Sequence, residues 1–505
     1  MLRPDRDGGY LTLRPSRERR GSALSSFPYS DLREWIDQAR GMGALRDVAG
    51  VAQEGEIGLI TEMLHHTDDS PAVLFDDIPS LQKGARILVN ANGNRERLAL
   101  TLGLSVDIDR SSLMERFLEM TETDRSIKPQ VAGDGPVLEN SMYGDDIDIS
   151  RFPAPHWHPG DGGPYIGTGV AVVMKDPDSG WINVGTYRAM VQDERSVGVF
   201  IIPGKHGALI RDTYFKRREP CPIAVICGMD PLMFVTSTLE APYGFSEYDW
   251  VGGIRGEPYP VVSAPVTGLP IPATAELVLE GYLTHDRRAP EGPFGEWTGY
   301  YVNERADQPV LDIQGVHYRT DPIVLGVPPN RPPCEPHRFR EYLRSALLLR
   351  GLRGAGVPGV VDANCFALGG NRLFNVVSIQ QKYAGHARQA LHVAAMCQAG
   401  AYMGRIVVVV DDDIDVTDLD DVMWAILTRA DPERSMDIVR RAYGGGMDSA
   451  MHPDDRVFNS RLLIDACRPW EWRDRFPPTS GSDANTKRET RRKWGWILEA
   501  QTPSA

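Results

Sequence analysis

The stretch A-P-E-G-P-F-G-E-W-T-G-Y-Y, residues 289–301, carries two carboxylates, Glu291 and Glu296, with Gly292, Pro293 and Gly295 between them. A helix would set residues five apart roughly 140° round its axis, and Gly and Pro oppose a helix here. The composition predicts a tight turn between extended segments, which can bring both acids to one side. Phe294, Trp297 and Tyr300 are close in sequence. Apolar neighbours desolvate a carboxylate and raise its pKa, whereas a nearby cation lowers it. Two acids treated differently in one pocket supply an acid and a base near neutral pH. On spacing alone, a surface hairpin with two solvated glutamates accounts for the stretch equally well.

Around this turn, from 136 to 327, short extended runs recur between Gly/Pro turns, at 167–174, 181–192, 197–202, 223–227, 276–283 and 310–318. Such a series predicts a twisted β-barrel or sandwich. Upstream, residues 26–135 read as a small α/β unit. Leu32, Trp35, Ile36 and Ala39 share a helical face behind a capping-box start at Asp31 and Glu34. Helical runs follow at 57–64 and 95–102, and strands at 72–75 and 85–89. Downstream, 328–475 reads as a second α/β domain. It has helices at 337–352, 387–403 and 419–428 and a buried strand at 406–410. Residues 1–25, with six arginines and no periodicity, are expected to be a disordered leader. Residues 476–505 are expected to form a tail, with a helix at 488–500 that docks on a partner subunit.

At 505 residues the chain should divide into roughly two to four domains. It is 42% hydrophobic and 25% charged, which fits a soluble globular protein. No apolar run is long enough to span a bilayer and no signal-peptide core stands near the start, so a cytoplasmic protein is expected. The net charge of -14 argues against a nucleic-acid groove, and any anionic substrate would need a local cation. Six cysteines without a C-x-x-C pair exclude a zinc ribbon and fit reduced thiols.

Several motifs fail on inspection. Asp411, Asp413 and Asp415 begin like a calcium loop, but Val416 and Val422 stand where its glycine and glutamate belong. A strand running into a helix N-terminus accounts for them better. Residues 198–206 resemble a phosphate loop, yet no Ser or Thr follows Lys205. There is no G-x-G-x-x-G and no G-x-S-x-G. His156 and His158 flank Trp157 and could share one side of a strand, but such a pair is more often structural. In the β-rich middle, Gly185 follows Asn183 in W-I-N-V-G-T-Y-R, marking a close backbone approach. His206 sits in P-G-K-H-G and Glu247 in S-E-Y-D-W. Together Asn183, His206 and Glu247 would make a mixed O/N ligand set for Mn²⁺ or Mg²⁺, although spacing alone does not bring them together.

The chain resembles the UbiD family of decarboxylases, which use prenylated FMN. The likeness rests on D-G-G-P-Y-I-G-T-G (161–169), W-I-N-V-G-T-Y-R (181–188), S-E-Y-D-W-V-G-G-I-R-G-E (246–257) and the stretch 280–301 that includes the opening turn. The last domain adds G-G-N-R-L-F-N-V-V-S-I (369–379), Y-A-G-H-A-R (383–388) and D-D-D-I-D-V-T-D-L-D-D-V-M-W-A (411–425). The resemblance implies an α+β, α/β multidomain fold, with a central flavin-reductase-like split β-barrel between an N-terminal α/β domain and a C-terminal α/β dimerisation domain. It implies that Asn183, His206 and Glu247 hold Mn²⁺ against the cofactor phosphate. Trp181, Thr236, Ser237, Leu239 and Glu247 would supply oxygens to a K⁺ ion. Gly185, Thr186, Tyr187, Arg188, Lys205 and Ser237 would face the cofactor. Gln398 stands near the position of a family lysine on the phosphate side.

By the same resemblance, Arg188, Glu291 and Glu296 form the catalytic Glu-Arg-Glu network. The reaction implied is reversible decarboxylation of an aromatic, heteroaromatic or α,β-unsaturated acid through a covalent prenylated-FMN adduct, with Glu296 as proton donor. A flavin prenyltransferase would supply the cofactor, and the protein would be a homodimer or higher homo-oligomer. The segment 327–338 is expected to line the pocket with Asn330, Arg331, Cys334 and His337, favouring a hydroxylated arene or heteroarene; an interdomain loop that never touches ligand accounts for it equally well. A retaining glycosidase would need Glu291 and Glu296 ~5 Å apart and lacks a sugar platform here. A flavin-binding oxidoreductase or a non-catalytic subunit of a carboxylase complex is the alternative, and the intact Arg188, Glu291 and Glu296 set counts against a dead subunit.

Overall fold

The computed structural model describes residues 27–239, 241–482 and 484–498; the expected leader lies outside them. The first helix, Leu32–Gly41, is capped by the Asp31 side chain on the Glu34 amide, and it buries Leu32, Trp35, Ile36 and Ala39. With the helix Arg95–Thr101 it covers a four-stranded sheet in the order Leu45–Ala49, Ala72–Asp76, Arg86–Val89 and Ile323–Gly326. The fourth strand comes from far along the chain and pairs in parallel with Arg86–Val89. The first sheet therefore draws on the central segment too.

The central segment is a nine-stranded antiparallel sheet whose spine is the pair Leu277–Glu291 and Ala306–Tyr318. Register shifts beside Gly281 and beyond Leu283 bend this pair, as bulges do. Its terminal strands, Tyr165–Gly167 and Ile182–Gly185, are not paired to each other, so the sheet stays open. Helices His206–Lys216, Pro231–Ser237 and Glu247–Arg255 interrupt the strands, and sequence periodicity predicts neither of the first two.

The last domain sets the strand Ile406–Asp411, apolar up to its final residue, between two parallel neighbours, Phe374–Ile379 and Phe458–Ala466. Such a strand is buried on both faces, which its valine run requires. The 20-residue helix Glu335–Gly354 joins this domain to the others, and Arg350 donates to the Leu118 carbonyl and the Thr121 hydroxyl. A single apolar core contains Trp35, Phe234, Phe339 and Val407, so all three segments share it.

Two expectations are corrected. The helix expected at 387–403 is two helices, His386–Met396 and Gln398–Ala401, broken where Cys397 is extended. The broken geometry requires a glycine at 400, because a Cβ there would lie 1.8 Å from the Ala394 carbonyl oxygen. The terminal helix is Ala484–Trp494 followed by a short turn at Gly495–Leu498, and its described side chains are largely exposed. As expected, the strand Ile406–Asp411 runs on to the N-terminus of the helix Leu419–Arg429, which Asp418 caps, and the aspartates between also hold arginines, Arg429 on Asp411 and Asp413 and Arg468 on Asp413. All six cysteines are free, and among the described residues no helix is long and apolar enough to cross a membrane.

Candidate active site

Glu291 is the last residue of the strand Leu277–Glu291, and Glu296 lies in the turn that follows. Arg188 precedes the strand Ala189–Asp193 and stands between the two acids. Its Nε and Nη2 donate to the two oxygens of Glu291 at 2.7 and 2.8 Å, and its Nη1 donates to Glu296. Tyr165 adds its hydroxyl to Glu291 at 2.8 Å. Phe200 and Phe294 sandwich the guanidinium, with ring centres 4.1 and 5.1 Å away. Both glutamates are buried.

The turn is held by backbone and by Asp161. Gly292 has φ +84°, and the Gly162 amide donates to the Pro293 carbonyl at 2.7 Å. A Cβ at Gly162 would lie 1.9 Å from the Gly292 carbonyl oxygen, so the D-G-G motif is a condition for the turn. Asp161 accepts from the Gly295 amide at 3.0 Å. Trp297 lies against Gly370 of the C-terminal domain, where a Cβ would be 2.2 Å from the indole.

Burial pushes the Glu296 carboxyl up to about 7, although Arg188 pulls against it. Burial also opposes the Arg188 charge, yet Glu296 and Glu291 more than offset this and hold its pKa above the ordinary value. One cation between two carboxylates carries a net negative charge that low dielectric penalises; a proton on Glu296 makes the triad neutral. Glu291 has three donors and Glu296 one, so the proton belongs on Glu296.

At the other end, Asn183 lies on the strand Ile182–Gly185, while His206 and Glu247 begin the helices His206–Lys216 and Glu247–Arg255. Asn183 Nδ2 and the Val184 amide donate to the Glu247 carboxylate at 3.1 and 2.7 Å. Asn183 Oδ1 is buried without a hydrogen-bond partner. Burial lifts Glu247 to about 8. A buried carboxylate with no side-chain cation on it among the described residues, an orphaned amide oxygen and an imidazole suit a hard divalent cation. Thr186 and Ser237 share a hydrogen bond of 2.8 Å beside them, and Tyr187 accepts the Gly207 amide at 3.0 Å. Gly185 leaves room for that tyrosine, since a Cβ there would lie 2.7 Å from its hydroxyl.

A cavity of about 440 Å³ joins the two ends. Every residue expected to face a cofactor lines it, as do Glu296, Leu239 and Gln398. Glu291 stands behind Arg188, and Trp181 and Thr236 lie outside the lining, the threonine Oγ1 buried without a partner. Sequence reasoning missed a wall from the C-terminal domain, chiefly Gly370, Arg372, Tyr402 and Met447; the G-G-N-R-L-F motif was its only signal. The expected wall from 327–338 is corrected. Only Val327, Pro329 and Pro336 reach the cavity, whereas Asn330 bonds His65 and His337 caps Cys334. His156 pairs with the exposed Glu54 and His158 bonds the Pro329 carbonyl, so the two do not converge.

Three family models match in order: the 3-octaprenyl-4-hydroxybenzoate carboxy-lyase N-terminal domain over 36–120, its Rift-related domain over 129–332 and its C-terminal domain over 337–466. A pyrrole-2-carboxylic acid decarboxylase of Pseudomonas aeruginosa is 34% identical over 417 residues, covering 80% of this chain and 83% of its own. A phenolic acid decarboxylase of a Streptomyces species is 31% identical, covering 87% and 92%. Among solved structures, the UbiD-class enzyme HmfF of Pelotomaculum thermopropionicum in complex with FMN superposes with a TM-score of 0.80 at 28% identity, covering 90% and 98%. An evolved dimeric form of HmfF, solved with prFMN, has a TM-score of 0.78 at 26% identity, covering 92% and 100%. Matched across all three domains and in overall fold, the chain belongs to the UbiD family of carboxy-lyases.

Proposed function

We propose that this chain decarboxylates an aromatic or heteroaromatic acid, reversibly, with prenylated FMN as cofactor. One observation carries the reading: a buried carboxyl, Glu296, raised to about 7 on the wall of a 440 Å³ cavity and tied to Arg188. Asn183, His206 and Glu247 would hold Mn²⁺ or Mg²⁺ at the phosphate end, and Trp181, Thr236, Ser237 and Leu239, with Glu247, a K⁺ ion beside it. When bound, prenylated FMN supplies an electrophilic carbon that makes the departure of CO₂ from an sp² centre feasible.

The protein's own work is positioning and one proton. Three of the five N–H groups of Arg188 are used on the glutamates, which leaves two for the substrate carboxylate. Phe294, Trp297, Val327 and Pro329 form an apolar wall beside Glu296 that suits a flat ring and excludes water. As the bond to CO₂ breaks, its electron pair stays with the ring carbon, and Glu296 delivers its proton there. Glu291 keeps a counter-charge on Arg188 throughout, and solvent reprotonates Glu296 between turnovers. The relatives named for pyrrole-2-carboxylic and phenolic acids make those two classes the first to try. A dimer assembled through the C-terminal domain, in the cytoplasm and supplied by a flavin prenyltransferase, completes the reading.

The test is coexpression with a flavin prenyltransferase, followed by a CO₂-release and H/D-exchange screen over pyrrole, furan and hydroxybenzoic acids. Turnover of at least one acid, lost when only FMN is present, is expected. Bound plain FMN that turns over with a nicotinamide would overturn the assignment in favour of an oxidoreductase.

A further inference from the structure

Lys205 is the N-cap of the helix His206–Lys216; its own side chain makes no cap bond, and of the first amides the Tyr187 hydroxyl takes that of Gly207. The positive end of a helix dipole and a lysine thus meet at the cavity, next to His206. Asn183, whose buried Oδ1 has no hydrogen-bond partner among the described residues, lines the same cavity and marks it as a place built for a ligand.

Opposite stands the C-terminal domain. Gly370 and Asn371 have φ of +60° and +58°, and this left-handed pair turns the chain so that Arg372 lines the cavity. The Arg372 guanidinium and the Lys205 ammonium each lie 4.9 Å from the centre of the same ring, Tyr402. Tyr402 is itself held by Tyr443 at 5.3 Å and by the backbone of Gly445, where a Cβ would meet the tyrosine hydroxyl at 2.6 Å. The ring brings two cations from two domains together on the cavity wall, Lys205 being the neighbour of His206. Gln398, on the same wall, brings no charge. In a chain of net charge -14, such a pair is the local cation that an anionic ligand needs.

Given the flavin reading above, we infer that Arg372 and Lys205 bind the flavin phosphate, with Arg372 acting from the C-terminal domain on a cofactor seated in the central one. A phosphate monoester carries about -1.5 to -2 charge at pH 7, which two cations balance. The planar guanidinium can give two parallel hydrogen bonds to phosphate oxygens, and Tyr402 keeps it oriented for them. Arg372 is a binding residue in this account and takes no part in proton transfer.

FMN and riboflavin differ only in the phosphate, so their affinities for the full-length protein in Mn²⁺-containing buffer test the inference by flavin fluorescence quenching. Arg372→Met should weaken FMN roughly 10- to 100-fold while riboflavin changes less than about 3-fold, and Arg372→Lys should recover part of the loss. Equal weakening of both flavins would mean a structural role and would overturn the inference. So would unchanged FMN affinity with a raised KM for the acid, which would assign Arg372 to the substrate. A wild-type protein that binds neither flavin would remove the flavin reading itself. If wild type prefers FMN over riboflavin and Arg372→Met keeps that ratio, this inference alone is overturned.

Discussion

The two ends of the cavity each bury a glutamate, and burial pushes both carboxyls up, Glu296 to about 7 and Glu247 to about 8. Their partners differ. Glu296 meets a cation that the fold itself supplies, Arg188, which is shared with Glu291. Among the described residues Glu247 meets only neutral donors, the Asn183 amide and the Val184 N–H, and Asn183 Oδ1 has no hydrogen-bond partner. Desolvation alone makes a weak acid out of a carboxylate; the counter-charge decides its use. With the cation built in, the acid can cycle a proton. With the cation left out, the site is complete only when an ion arrives from solution.

The sharpest way to break this contrast is Glu296→Gln. Decarboxylation should fall by roughly 10²- to 10⁴-fold, measured as CO₂ release, while Mn²⁺ binding is retained. Full activity with undiminished deuterium incorporation at the reacting carbon would take the proton from Glu296. Next in size is Arg188→Met, which leaves the buried Glu291 and Glu296 without their shared cation. It should cost about 3–5 kcal/mol in denaturant unfolding, and adding Glu291→Gln and Glu296→Gln should restore most of it. A loss well below 1 kcal/mol would mean that the triad is solvated.

The opposite end sharpens the contrast through the ion. Mn²⁺ at 100 times its Kd should stabilise the wild type by about 2.7 kcal/mol, read as a rise in Tm. Glu247→Gln should abolish that rise without destabilising the metal-free protein. A mutant that kept the full shift would place the ion elsewhere. Smallest is the effect of pH. Because the Glu296 pKa is raised and its acid form is the one used, kcat should be flat below about 7 and decline as pH rises through about 7, approaching tenfold per unit. A limb of the same shape in the residual rate of Glu296→Gln would assign it to another group.

Sequence reasoning reads well where an interaction is local. The face of Leu32, Trp35, Ile36 and Ala39 and the Asp31 cap need only 3.6-residue periodicity, and the valine run after Ile406 needs only apolarity. The carboxylate turn was readable as a turn because Gly and Pro leave no other option. What was hidden depends on contacts across the chain. A helix that composition would continue breaks at Cys397, and the second piece packs so closely that only a glycine at 400 fits against the Ala394 carbonyl. The helix His206–Lys216 has a glycine and a weak apolar stripe, and packing makes it. Asn330 and His337 look like pocket residues on a proline-rich loop, yet His65 and Cys334 claim their side chains. Arg372 and Tyr402 join the cavity only because three segments share one core.

The strand Ile323–Gly326 has a consequence for how the protein is made. Until it arrives, Arg86–Val89 is the edge of the first sheet, an apolar strand with one side of its backbone unpaired. A ribosome must add more than two hundred further residues before Gly326 emerges, roughly 10–50 s at ordinary elongation rates. During that interval the nascent chain displays a pairing template to its neighbours. A chain arrested just before Ile323 should therefore associate with others or bind holdase chaperones far more than one arrested after the helix Glu335–Gly354. Crosslinking of stalled ribosome complexes at those two lengths would read the difference directly.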